Sequence, residues 1–262
     1  MDPTTAGGSD GGVAVCGIDQ PYRDREEAKK NELKPWRVRS WCIPKPGARF
    51  VANMEDVLSV YQRPYDAQRP QVCLDESQKN LRSNPRGEIA AAPGQPRRED
   101  YEYQRQGQCA IFMAAEPLVG RRHVWVRERR TLVDCAEVLR DLVDVIYPQA
   151  EKIVLVVDNL NTHHPACLYE RFPPDEAQRI AARLEWHYTP KHGSWLNVAE
   201  IELSVLRRQC LKAKMSDIAT VRRHVQAWQS DRNQRCSAVN WRFTTADARI
   251  KLQRLYPVVN VQ

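Results

Sequence analysis

Three acidic side chains stand out by where they fall in the chain. Asp75 follows the apolar run Val72-Cys73-Leu74, and Asp158 follows the unbroken β-branched and leucine run from Ile153 to Val157. A carboxylate directly after an apolar strand sits where α/β proteins place ligands and chemistry. Glu200 lies on a predicted helix beside its apolar stripe, with Leu196 one turn before it and Leu203 three residues after. A charge bordering a buried stripe needs a partner. Three converging acids repel one another unless a cation neutralises them, and hard oxygen ligands of this kind suit Mg²⁺. Two such ions about 4 Å apart clamp the attacking and leaving oxygens of an in-line displacement at phosphorus. That chemistry requires no side-chain nucleophile. The bland alternative is that an Asp after a strand is a turn residue or a helix cap. Helical phase separates Glu200 from its neighbour Glu202 only weakly.

Elements able to position these acids are readable around them. Cys109 to Ala115 and His123 to Val126 read as strands flanking a turn at Pro117 to Gly120. Thr131 opens a helix as its N-cap, with Asp134 three residues on and Leu132, Cys135, Leu139, Leu142 and Ile146 along one stripe; Pro148 stops it. Ile153 to Val157 is expected as a strand covered on both faces. Asp175 is expected to cap a helix running to about Leu184, and Trp186 to Tyr188 to form a last short strand. A long helix from about Trp195 carries Glu200. Ser216 is expected to cap the next, where Ile218, Val221, Val225 and Trp228 fall at helical spacing, and Thr245 to Leu255 forms a final helix. This order indicates an α/β domain with a mixed sheet covered by helices on both sides.

Four segments follow from the pattern. Residues 1–35, Gly-rich and then densely charged, read as a poorly ordered segment, and residues 36–70 as a connector with a short helix over Met54 to Tyr61. Residues 71–235 form the domain that holds the acids, including a long polar loop at 82–108 with Pro85, Pro93 and Pro96. Residues 236–262 form a helical tail.

The wording around the acids is more specific than their spacing. Val72-Cys73-Leu74-Asp75-Glu76-Ser77, Val156-Val157-Asp158-Asn159-Leu160-Asn161-Thr162-His163 and Tyr188-Thr189-Pro190-Lys191-His192-Gly193-Ser194-Trp195-Leu196-Asn197-Val198-Ala199-Glu200 resemble the IS630 family of bacterial insertion-sequence transposases, relatives of the Tc1/mariner elements. The likeness runs from about Lys29 to Pro257 and includes Trp241-Arg242-Phe243-Thr244-Thr245-Ala246-Asp247-Ala248-Arg249. It implies a ribonuclease-H-like mixed five-stranded sheet with helices on both faces. It also implies a DDE triad of Asp75, Asp158 and Glu200 that is catalytic and holds metal, and so resolves the choice between Glu200 and Glu202. The implied reaction is hydrolysis at transposon ends, then attack of the freed 3′-hydroxyl on TA-containing target DNA, with two Mg²⁺ ions for which Mn²⁺ substitutes. A homodimer on DNA follows from the same likeness, with the 82–108 loop reaching to the partner copy, and a cytoplasmic, nucleoid-associated protein is expected because no secretory or membrane-spanning segment is read.

Two departures from the family shape the expectation. Between Asp158 and Glu200 lie 41 residues, more than in the Tc1/mariner signature, and the extra length falls around Cys167 to Arg183. Family members also carry a helix-turn-helix region that reads the transposon ends, and too little chain precedes Lys34 to build one. The expectation is a truncated or rearranged chain that keeps catalysis and has lost end recognition. Two other readings stand beside it: a nuclease that hydrolyses without joining, and a catalytically silent remnant that binds or inhibits the full-length transposase.

Supporting residues carry paired readings. Lys191 and His192, next to Gly193, either contact phosphates or form an exposed turn. Arg207, Arg208, Lys212 and Lys214 either follow a DNA backbone or make a solvated helix face. His163 and His164 read as loop residues, because metals of this chemistry prefer oxygen. Trp36 and Trp41 flank basic residues, with packing and base stacking equally open. The net charge of +7, from 40 Lys+Arg against 33 Asp+Glu, is compatible with a polyanion partner. No run approaches the roughly 18 apolar residues of a membrane span, and the first residues show no secretory apolar region. The eight cysteines lie at least 26 residues apart with no C-x-x-C pair, which argues against a metal or disulfide scaffold and points to reduced core residues.

Overall fold

Alternation of side chains along three strands separates two apolar cores. The computed structural model describes residues 47–160 and 162–258. The expectations for residues 1–35 and 36–46, for Trp36, Trp41, Cys16 and Cys42, and for a lost end-recognition region therefore lie outside the described residues. Five strands form one mixed sheet: β1 (Gln71–Ser83), β4 (Gln104–Glu116), β5 (Arg121–Arg127), β6 (Ile153–Val157) and β7 (Leu184–Tyr188), in the order β5-β4-β1-β6-β7. β4 runs antiparallel to β1 and β5, whereas β1, β6 and β7 run parallel. Cys73, Ile111, Met113, Val154 and Val156 face one core, and Val72, Leu74, Phe112, Ile153 and Leu155 face the other. This two-residue period is that of a sheet buried on both sides.

Helices cover each face. Against the first lie α1 (Ala48–Tyr61), α5 (Val198–Gln209) and α6 (Ile218–Gln234); against the second lie α2 (Leu132–Asp141), α3 (Ala166–Arg171) and α4 (Pro174–Ala182). The sheet order and the helices on both faces make this an α/β, ribonuclease-H-like fold. In α1, Met54, Val57, Leu58 and Tyr61 are buried at helical spacing. The expected connector therefore contributes a core helix. The expected tail contributes too: α7 (Thr245–Lys251) buries Ala248 in the same core, and Arg249 pairs with Glu55 of α1.

Several boundaries move, each for a local reason. Thr131 and Asp134 form the expected capping box of α2, which continues into a π-helical turn at Leu142–Ile146. α4 begins with Pro174 at its first position, so Asp175 lies inside the first turn and is not the cap. Asp217, not Ser216, caps α6, accepting from the Thr220 amide at 2.7 Å. The chain between β6 and β7 forms two helices rather than one. Cys73, Cys109, Cys135 and Cys167 are buried as expected, Cys210 is half-buried, and Cys236 is exposed, against expectation.

The segment 82–108 is only partly a loop. β1 and β4 extend into it as a polar hairpin, with an irregularity between Asn80 and Arg82 and a small second sheet of β2 (Glu88–Ile89) and β3 (Arg98–Glu99) near its tip. At the sheet edge, α6 takes the place of a missing strand. Asn233 exchanges two 2.8 Å hydrogen bonds with the Arg122 backbone, the Val124 amide donates to Gln229, and Arg222 donates to the Val126 carbonyl. An edge closed in this way cannot pair with a foreign strand.

Candidate functional site

Register brings the first two acids together. β1 and β6 pair in parallel as far as Cys73 opposite Val156. Two residues further on along each chain stand Asp75 and Asp158. Alternation keeps them on the face of Cys73 and Val156, and neighbouring strands lie about 4.8 Å apart. Asp75 does not end its strand, since β1 runs on to Ser83. It stands where the parallel pairing ends, which is the feature that matters.

The third acid arrives on α5, through Asn197. This fully buried residue caps the helix, its side-chain oxygen accepting from the Ala199 amide at 3.0 Å. Its amide nitrogen donates to the Leu74 carbonyl at 3.1 Å and reaches Asp75 Oδ2 at 3.4 Å. The joint fixes the start of α5 against β1, and Glu200 falls in the first helical turn. Asp75, Asp158 and Glu200 then line one cavity of about 370 Å³ with Glu76, Asn197 and Arg207. Among the described residues no three His, Cys, Asp or Glu side chains close into a tight metal-ligand set; the three acids share a cavity, with Glu200 on its exposed side.

The electrostatics of the pair are those of crowded, partly buried carboxylates. Burial, and then the neighbouring charge of Asp158, push the Asp75 carboxyl up to about 7, against the pull of the Glu76 amide that donates to it at 2.7 Å. Asp158 Oδ1 accepts from His163 Nδ1 at 2.5 Å, and its Oδ2 has no partner among the described residues. A divalent cation relieves such crowding of carboxylates, and an all-oxygen donor set suits a hard ion.

His163 is not the loop bystander its sequence position suggests. It is fully buried, and its Nε2 lies 2.7 Å from Glu76 Oε2 as an ion pair rather than a well-aligned hydrogen bond. Burial works against a charged ring, but the carboxylates of Asp158 and Glu76 outweigh it and hold the His163 pKa up at about 10. Arg130 stands 3.8 Å from the other Glu76 oxygen. Glu76 and Asn197 carry no site signal in the sequence, although Asn197 directly before Val198 is a readable cap signal, and His163, weighed there as a metal ligand and set aside, instead contacts Asp158 and Glu76.

The basic candidates divide. Arg207 lines the acidic cavity and also a second one, of about 290 Å³, with Lys212, Lys214, Lys79 and Arg82. Lys79 donates to the carbonyls of Leu211 and Ala213, and Lys214 to those of Asp100 and Glu102. Arg207 and Lys212 have no partner among the described residues, and both are exposed. Lys191, His192 and Arg208 are exposed and line neither cavity, and His192 adopts a left-handed φ of 64°. His164 is exposed and accepts from the Ala166 amide, as a loop residue does. Among the described residues no helix is long and apolar enough to cross a membrane.

Comparison with known proteins adds a family. No curated protein matches the chain. Among solved structures it is similar to the Mos1 mariner paired end complex with Mn, at 13% identity and a TM-score of 0.48 over 90% of this chain and 78% of that one. The Mos1 strand transfer complex gives 13% and 0.48 over 90% and 80%, and the Mos1 transposase paired-end complex with left transposon end gives 14% and 0.46 over 90% and 81%. The profile of the DDE superfamily endonucleases matches residues 70–222, from the start of β1 into α6 and across all three acids. With more than half its length inside that profile, the chain belongs to the DDE superfamily endonucleases.

Proposed function

We propose that the chain is the catalytic part of a cut-and-paste DNA transposase of the IS630 type, cleaving DNA at transposon ends and joining the freed end to TA-containing target DNA. One observation carries this reading: the parallel register that sets Asp75 beside Asp158, in a cavity completed by Glu200, within an endonuclease family. Asp75, Asp158 and Glu200 are the catalytic residues, and they hold Mg²⁺, with Mn²⁺ able to substitute and two ions in the working site. When bound, such ions supply charge neutralisation and lower the pKa of an attacking water or 3′-hydroxyl.

The residues of the chain do the rest. Asp158 offers Oδ2, because Oδ1 is already engaged. Asp75 is steered by the Asn197 amide and the Glu76 N–H. β1 and the α5–α6 segment run side by side away from the acids. Asn197 touches Asp75, Lys79 reaches Leu211 and Ala213, and the Arg82 amide donates to Met215 at 2.7 Å. The two elements therefore lead from an acidic end to a basic one, and Arg207, Lys212 and Lys214 there are the phosphate contacts this reading favours. Lys191, His192 and Arg208 are outer contacts to a longer duplex. A homodimer on DNA belongs to the same proposal, supported by the long exposed β1–β4 hairpin, as does a nucleoid-associated location.

The test is nicking of DNA carrying the transposon end with Mg²⁺ or Mn²⁺, compared with Asp158→Ala, and joining of a pre-cut end supplied in trans. Metal-dependent nicking that disappears in the variant, together with joined product, supports the proposal. Nicking that survives Asp158→Ala sinks it, and nicking without joining reduces it to a nuclease.

A further inference from the structure

The ring of His163 lies under the acidic cavity without lining it, so any part it plays runs through its neighbours. Those neighbours are two acids from different strands. Nδ1 meets Asp158 Oδ1 at 2.5 Å, and Nε2 meets Glu76 Oε2 at 2.7 Å. The Glu76 side chain is 3% exposed and His163 has no exposure at all, so solvent does not compete for the contact between them. Leu160 N adds a long 3.4 Å contact to the same Asp158 oxygen.

We infer that His163 is a positioning residue, which locks the Asp158 carboxylate in one rotation and leaves Oδ2 as its cation-binding oxygen. This inference rests on the proposed role of Asp158. An aspartate at a strand end has two torsions, and nothing else among the described residues fixes them at short range. Asp158 projects from the point where β6 stops, and its side chain, 28% exposed, lines the cavity. Glu76 supplies the anchor from the neighbouring strand. Asp75 and Glu76 are adjacent on β1, so one dipeptide presents an acid to the cavity and also holds the ring that orients the second acid. Relative placement of the two acids is thereby tied to the register of β1 on β6 and to the turn after β6 that carries His163.

Partners that orient a metal ligand affect metal binding about 10- to 100-fold when removed. The experiment measures Mn²⁺ affinity by electron paramagnetic resonance, and urea midpoints, for wild type, Asp158→Ala, His163→Ala, His163→Asn and His163→Gln. Asn places its amide nitrogen near the position of Nδ1, whereas Gln places it near Nε2. We expect Asp158-dependent Mn²⁺ binding that weakens about 10- to 100-fold in His163→Ala, returns to within a few-fold of wild type in His163→Asn, and stays weak in His163→Gln. Should Ala empty too much buried space to fold, the Asn and Gln variants decide alone, each also made with Glu76→Gln so that no charge is left buried without a partner. A purely structural role lowers the urea midpoints of Asn and Gln alike and leaves the Mn²⁺ affinity of the folded protein unchanged, which overturns the inference. Wild-type binding of Mn²⁺ that does not depend on Asp158 overturns it as well. Wild type that binds Mn²⁺ yet cuts no DNA sinks the transposase proposal, while the same Mn²⁺ comparison still decides His163.

Discussion

Arg122 and Glu202 form a two-pronged ion pair inside the protein, Nη2 to Oε1 at 2.8 Å and Nε to Oε2 at 3.0 Å, with side chains 2% and 3% exposed. Arg232 reaches the same carboxylate at 3.0 Å, and Arg122 also donates to the carbonyls of Gly120 and Ser237. One carboxylate therefore ties β5, α5 and α6 together. Burial alone raises the Glu202 pKa, but its two arginines outweigh burial and hold it below the usual carboxylate range.

Glu200 and Glu202 should separate cleanly by mutation, although they share a helix. Removing one partner of a buried pair strands the other, at a cost of about 3–5 kcal/mol. Glu202→Ala should lose stability on that scale in urea unfolding. Glu200→Gln, on an exposed position, should stay within about 0.5 kcal/mol of wild type while losing metal-dependent nicking. Equal stability of the two variants, or nicking retained in Glu200→Gln, contradicts the assignment.

The basic cavity makes a different prediction, because its cations are not equivalent. Each phosphate contact removed should lower the slope of log K against log salt by about 0.9 for duplex DNA. Arg207→Ala and Lys212→Ala remove groups with no partner among the described residues, and each should show that change in binding measured from low to moderate salt. Lys79→Met breaks the hold on the Leu211 and Ala213 carbonyls. It should lower thermal stability more than it alters the salt slope. Slopes unchanged in all three variants would place the strand elsewhere.

How far the sequence revealed this arrangement depends on the range of the contact involved. β6 was readable because five apolar residues in a row admit little except a doubly covered strand. The outer half of β1 was not, since Ser77 to Ser83 is polar apart from Leu81 and becomes a strand only by pairing with residues of β4. Ala199, Glu202, Leu203 and Leu206 are buried at helical spacing, so Glu202 is the inward charge of α5, which helical phase alone separates only weakly from Glu200. Its partner Arg122 lies 80 positions earlier, beyond any local pattern. His163 does lie in the turn after β6, as its position suggests, but its burial against Glu76 has no local signal for the same reason, because Glu76 belongs to another strand. The caps at Asp175 and Ser216 failed at the opposite scale, where adjacent candidates compete and backbone geometry chooses.

A pH dependence should come from the cluster that docks α1 on β7. His187 bonds Asp56 at 2.8 Å and Glu185 at 3.0 Å, while Arg63 and Arg69 also pair with Glu185. Burial disfavours the His187 cation, but Asp56 and Glu185 outweigh both burial and the repulsion of Arg63, so its pKa is raised. Its stabilisation is then complete below the unfolded value of about 6.5 and disappears as pH rises through the raised folded value. Burial also opposes the Glu185 charge, yet Arg63 and His187 hold its pKa at about 2. That contribution is present above about 4.3 and disappears as pH falls toward about 2. The difference in Tm between wild type and His187→Gln should be largest near pH 5–6 (about the midpoint of these reference values) and shrink toward alkaline pH. A difference constant across that range rules out the titration.

Asn197 offers the sharpest link between fold and chemistry, because one side chain caps α5 and touches Asp75. Asn197→Ala removes the cap, worth about 1 kcal/mol, and leaves the buried Leu74 carbonyl without its donor, worth about 1–3 kcal/mol. It should both destabilise the protein and loosen Glu200 relative to Asp75. Asn197→Asp separates the two effects. An aspartate caps a helix as well as an asparagine does, but it faces the Leu74 carbonyl and the Asp75 carboxylate with an acceptor where a donor stood. Without metal the Asp variant should therefore unfold more easily than wild type. Added Mn²⁺ should raise its Tm, because a fourth carboxylate beside Asp75 favours cation binding, whereas nicking should remain impaired by the altered geometry. Thermal melts with and without Mn²⁺, paired with nicking assays, test this; an Asp variant indifferent to Mn²⁺ in its melting, or one that nicks like wild type, shows that Asn197 does not couple the helix cap to the acids.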